Sequence, residues 1–185
     1  MRKLETVAIV AVALIAGVLI VAATRPDTFE VQRTALIQAP PERIFPLIND
    51  LRAFNTWNPY EKKDPNIKGS YSGASDGKGA SYGFQGNKDV GTGRIEIVQS
   101  TPASRVTMKL LMLEPLEIDN VVEFMLEPKG EATIVTWAMQ GRVPYVGKIV
   151  HLFFDMDSMV GGDFEAGLAG LKAIAESPQS AARVN

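Results

Sequence analysis

His151, Asp155 and Ser158 fall at i, i+4 and i+7, so one helix would carry an imidazole, a carboxylate and a hydroxyl on a single face. Nucleophilic catalysis needs the base between the nucleophile and the orienting acid. Here Asp155 stands between His151 and Ser158, which argues for a capped helix start instead of a triad. Asp155, Asp157, Asp163 and Glu165 raise the question of a cation site. A calcium loop counted from Asp155 puts Met159 and Val160 at its fifth and sixth positions, where an acidic or amide residue and a glycine belong. The glycines from Gly69 to Gly93 lack the G-x-G-x-x-G spacing and a following helix, so they read as hairpin turns and not as a phosphate cradle. The chain has no cysteine, which excludes disulfides, thiol chemistry and Cys-ligated zinc. No catalytic residue, metal site or cofactor is assigned. Asp64, Tyr82 and His151 are the acid–base candidates of an enzymatic reading.

The residues best suited to binding are apolar. Trp57, Tyr60, Tyr82, Trp137 and Tyr145 join an apolar body to a polar tip, a useful property at a pocket rim; the plainer alternative makes Trp137 core and Trp57 a wedge against it. Met108, Met112, Met139, Met156 and Met159 are either core filler or a deformable lining. The expected cavity wall is Trp57, Tyr60, Tyr82, Phe84, Met108, Leu110, Phe124, Trp137, Met139, Met156 and Phe164.

These side chains need elements to hold them. Met156, Val160, Phe164, Leu168, Leu171 and Ala175 recur at spacings of three and four, which predicts a long helix over 156–176. Upstream the period is two. A first strand starts at Phe29, and further strands are predicted over 68–72, 80–85, 93–100, 105–112, 118–127 and 133–140, with turns rich in Gly and Pro between them. Short connections make these antiparallel neighbours, and Gly83 or Gly93 are natural bend points. Ala39-Pro40-Pro41-Glu42 begins a helix, a second short one covers about 51–56, and 61–66 reads as a polar loop. The order is α+β, with helices on one face of a curved seven-stranded sheet.

Val7 to Ala23 hold ten Val, Ile or Leu, six Ala and one Gly without a charge. As a helix this run spans about 25 Å, slightly short of a hydrocarbon core of about 30 Å. It is longer than the apolar part of a cleaved signal, so an uncleaved membrane anchor over 7–24 is the expectation, a cleaved signal with Val21-Ala22-Ala23 as its exit the alternative. Arg2 and Lys3 then place the N-terminus (1–6) in the cytoplasm and the domain on the extracytoplasmic side, with a linker at 25–27, the domain at 28–176 and a flexible tail at 177–185. Outside the first six residues 17 basic residues face 20 acidic ones, which argues against nucleic acid as a partner.

Four stretches in order carry a resemblance: Trp57-Asn58-Pro59-Tyr60-Glu61; Gly86-Asn87 with Val90-Gly91-Thr92-Gly93; Thr133 to Trp137 with Met139 and Gly141; and Val160 to Glu165 with Gly167-Leu168. Together they resemble the bacterial SRPBCC proteins, the polyketide cyclase/dehydrase and lipid-transport family of the START-like helix-grip superfamily. The resemblance implies a seven-stranded antiparallel sheet gripping the C-terminal helix around an elongated apolar cavity. It also implies a hydrophobic ligand such as a lipid or polyketide. The expected function is therefore membrane-anchored binding or transport of a hydrophobic small molecule. A cyclase-like enzyme and a non-catalytic interaction module are the alternatives, the last predicting an exposed apolar patch.

Overall fold

The computed structural model describes residues 2–115, 117–152 and 155–178. Helix α1 (Arg2–Ala23) precedes strand β1 (Thr28–Ile37), three short helices α2 (Pro41–Asn49), α3 (Leu51–Asn55) and α4 (Pro59–Lys63), and strands β2 (Lys68–Gly73), β3 (Ala80–Gln85), β4 (Thr92–Thr101), β5 (Arg105–Glu114), β6 (Ile118–Lys129) and β7 (Ala132–Arg142); α5 (Tyr145–His151) and α6 (Met156–Ala175) follow. All seven strands form one antiparallel sheet in the order β1-β7-β6-β5-β4-β3-β2. The α+β order expected from the periodicities is observed, in the helix-grip form that the resemblance implied. Register shifts at Thr92/Gly93 and between Ile97 and Gln99 bend β4 against β5, one of them at a glycine singled out as a bend point.

The polar stretch read as a loop, 61–66, begins inside α4. Asn58 accepts from Tyr60 N at 3.3 Å and Pro59 supplies the first helical φ, so the Asn58-Pro59 dipeptide starts a helix. Asp155 caps α6, its carboxylate accepting from Ser158 N at 3.2 Å and from Ser158 Oγ at 2.6 Å.

Strand alternation puts Val106 and Met108, Val122, Phe124 and Leu126, and Val135 and Trp137 inside. Trp57, 1% exposed, stands edge-on to Phe54, Phe124 and Trp137 at 4.8, 5.9 and 5.7 Å and donates its indole N–H to Leu47 O at 2.8 Å. Trp57 is thus the keystone joining α2 and α3 to the sheet.

The expected membrane span is corrected. Among the described residues no helix is long and apolar enough to cross a membrane. α1 has 22 residues, but Arg2, Lys3 and Glu5 occupy its first turns, and the uncharged remainder falls short of a hydrocarbon core of about 30 Å. The single-pass assignment, with a cytoplasmic N-terminus and an extracytoplasmic domain, therefore fails. Instead α1 leans on α5, where Tyr145 Oη donates to Leu19 O at 2.7 Å and Ala22 is fully buried. Its aliphatic residues Val7, Ile9, Val12, Leu14, Ile15 and Ile20 are exposed.

Candidate functional site: a cavity between the sheet and the last helix

Helix α6 lies toward one side of the sheet, and this offset creates the site. Its main contacts are with β1, α4, α2 and β7. At β1 the Arg33 guanidinium holds it, donating from Nε to Glu165 Oε1 at 2.8 Å and from a terminal nitrogen to Asp157 Oδ2 at 2.9 Å. Lys172 Nζ donates to Leu36 O at 2.8 Å, and Gln38 N donates to Glu176 Oε1 at 2.7 Å. Phe164 lies flat on Trp137, with ring centroids 4.1 Å apart. That approach is close enough that a Cβ on Gly167 would run into the indole. The inward side chains of β3, β4 and β5 are left facing a cavity of about 290 Å³, at the lower end of the roughly 300 to 1,000 Å³ usual for small-molecule sites.

Of the residues expected in the wall, Tyr60, Tyr82, Phe84, Leu110, Trp137, Met139 and Phe164 line this cavity. Trp57, Met108 and Phe124 are packed into the core instead, each at most 1% exposed, because they lie where α3 and the sheet close on one another. The Met156 side chain lies outside the described residues, as does that of His151. Residues that the sequence reading did not assign complete the wall, among them Glu61, Ile67, Val90, Ile95, Asn120 and Val122.

The polar groups are few and specific. Tyr82 Oη donates to Glu61 Oε1 at 2.7 Å, and burial first, this bond second, pushes the phenol above its ordinary value. Burial likewise pushes the Tyr60 phenol up, with the nearby Asp163 carboxylate adding to the shift. Lys63 Nζ pairs with Asp163 at 2.7 Å and lies 5.1 Å from the Tyr60 ring centroid. Asp64 is buried outside the wall, and its two oxygens accept from Asn66 N at 2.9 Å and from Asn87 N at 2.7 Å. It staples the segment after α4 to the β3–β4 turn at the cavity mouth, where Val90 and Gly91 contribute.

The other chemical candidates resolve into structural roles. Ser158 gives its hydroxyl proton to the α6 cap, and the cap bonds hold the Asp155 carboxyl below the usual range. Arg33 does the same for Asp157. Asp163 and Glu165 are taken by Lys63 and Arg33, and among the described residues no group of three metal-ligating side chains converges.

A family model described as "Polyketide cyclase / dehydrase and lipid transport" matches residues 28–176, the sheet, the gripping helices and the cavity together. The chain belongs to this family. Membership in this polyketide cyclase/dehydrase and lipid-transport family is compatible with binding of a hydrophobic small molecule. Among solved structures, a protein of Chromobacterium violaceum superposes with a TM-score of 0.57 at 16% identity, over 83% of this chain and 99% of that one. The ginseng (Panax ginseng) major latex-like protein 151 gives 0.57 at 16% identity, over 82% and 100%. The Aha1 dimer from Colwellia psychrerythraea gives 0.56 at 16% identity, over 80% and 96%. At these identities the likeness shows a common fold. A comparison with curated proteins found no match.

Proposed function

We propose that this family member binds and carries a small hydrophobic molecule, lipid- or polyketide-like, in the cavity between β3–β5 and α6. One observation carries the reading: the two layers leave unfilled a hollow whose wall is mostly Phe84, Ile95, Leu110, Val122 and other apolar side chains. Removing apolar ligand area from water there yields about 25 cal/mol per Å² without a charged contact. Equilibrium dialysis of the full chain against naphthalene tests it. Wild type takes up about one equivalent, and Leu110→Trp, which fills the cavity, weakens uptake by about tenfold or more. Equal uptake by both proteins would place binding elsewhere and end the proposal.

A catalytic reading has less behind it. Of Asp64, Tyr82 and His151, only Tyr82 stands in the described cavity wall, and its proton is held by Glu61. The interaction-module reading has one observation of its own, the exposed aliphatic residues of α1. It predicts that Leu14→Lys with Ile15→Lys lowers the sedimenting mass of the full chain, and an unchanged sedimentation profile removes it.

A further inference from the structure

The cavity wall carries one negative charge that the protein does not neutralise. Three of the lining residues are ionic: Glu61, Lys88 and Asp89. Lys88 and Asp89 pair with each other at 3.0 Å, and their side chains are 90% and 59% exposed, so they cancel one another in solvent. Glu61 enters no ion pair among the described residues. Lys63, two positions on in α4, is taken by Asp163 at 2.7 Å.

That carboxylate is fixed at the wall. Tyr82, buried in the inward row of β3 and itself a lining residue, donates its hydroxyl to Glu61 Oε1 at 2.7 Å, which puts the carboxylate at the tip of a wall side chain. Tyr82 has no room to swing. The Tyr71 and Phe84 ring centroids lie 4.7 and 6.2 Å from its own, and a Cβ on Gly69 would run into its ring. Glu61 is half-buried and keeps surface that a molecule in the hollow can meet. An ionised carboxylate has about four acceptor positions, of which the phenol fills one, and Oε2 accepts from no protein donor among the described residues.

We infer that the ligand is an apolar body bearing a protonated amine, whose ammonium group donates to the Glu61 carboxylate beside the rings of Tyr82 and Phe84. The ammonium supplies both things that Glu61 lacks, N–H donors for its free lone pairs and a compensating charge. Such a charge-assisted bond is about twice as strong as a neutral one, and the faces of neighbouring aromatic rings attract the same cation. A ligand with a carboxylate or phosphate head would meet Glu61 with like charge and is disfavoured.

This inference rests on the binding reading above, and three matched probes separate the two. Naphthalene has no polar group, 2-naphthol has a neutral donor, and 2-naphthylmethylamine carries an ammonium at neutral pH. Equilibrium dialysis of the full chain measures all three. Wild type prefers the amine to naphthalene by about tenfold or more, the size expected of one hydrogen bond to a charged group, and 2-naphthol falls between. Glu61→Gln, which keeps the size and removes the charge, makes the amine bind no tighter than 2-naphthol. Glu127→Gln removes an exposed charge outside the wall and leaves the preference intact. In wild type a water-soluble carbodiimide joins the amine to Glu61, and excess naphthalene suppresses that coupling while the exposed carboxylates still react; peptide mass spectrometry reads the site without relying on a variant. Equal affinity of wild type for the amine and either other probe, an unchanged preference in Glu61→Gln, or the same loss in Glu127→Gln overturns the inference and leaves the carrier reading standing. Uptake of none of the three by wild type overturns both.

Discussion

The Arg33 guanidinium occupies the space that a side chain on Gly161 would need. A charged residue in the inward row of an edge strand thereby reaches across α6 to Asp157 and Glu165, and the helix is set toward β1. The neighbouring Gly162 has open space around it. The two glycines are therefore predicted to respond differently to the same change. Gly162→Ala gains about 0.5–1 kcal/mol from helix propensity. Gly161→Ala gains less or loses stability, because its methyl group displaces the guanidinium. Chemical denaturation of the two variants checks the order, and equal gains would show that the Arg33 contacts hold nothing in place.

Wall and core residues separate in the same way. Phe124 is fully buried, its ring 4.9 Å from that of Trp137, and Phe124→Ala is expected to cost about 3–5 kcal/mol. Leu110 already faces open volume, so Leu110→Ala costs about 1–2 kcal/mol, mostly the lost transfer energy of the methyl groups. Equal costs in urea titrations would mean that the cavity is closed in solution.

Asp64 gives a prediction about the mouth. Asp64→Ala leaves the backbone N–H groups of Asn66 and Asn87 without their acceptor, at a cost of about 1–3 kcal/mol, whereas Asp64→Asn keeps one acceptor oxygen and costs less. Stopped-flow release of 2-naphthol should be faster in the alanine variant, since the two loops are no longer stapled. Unaltered release would separate the staple from ligand exit.

Stability should fall at high pH for a stated reason. Tyr60 and Tyr82 both have phenols raised above the ordinary value, so each contributes stability that is complete below its unfolded pKa of about 10 and is lost as pH rises through the folded value. Melting temperatures from pH 9 upward should decline, and Tyr60→Phe or Tyr82→Phe should each flatten the decline. A wild-type curve no steeper than that of the double phenylalanine variant would contradict the assignment.

Much of the fold could be read from periodicity because each strand buries one face and each face announces itself, as Val106 and Met108 or Val122 and Phe124 do. Helix α4 was not legible, since five residues cannot display a period. The division between wall and core was not legible either. Alternation says that Met108 and Leu110 both point inward, but which of them meets packed rings and which meets space depends on where α6 comes to rest. That position is set by Arg33, a residue alternation alone treats as an oddity. Asn120 was readable in principle, as a polar residue in the inward row of β6 with Val122 and Phe124. At the N-terminus composition misled: an uncharged aliphatic run suggested a span that the helix, with its charged first turns, does not provide.

The first strand of the domain hydrogen-bonds to the last one, with Thr34 and Thr136 touching across 102 positions of sequence. During synthesis β1 therefore emerges with no strand to receive it, and its free edge waits until residue 142 has left the ribosome. Sheet assembly is by this topology a late and slow event, dominated by the entropy of closing a long loop. Nascent chains that stall before β7 present an open edge for mispairing.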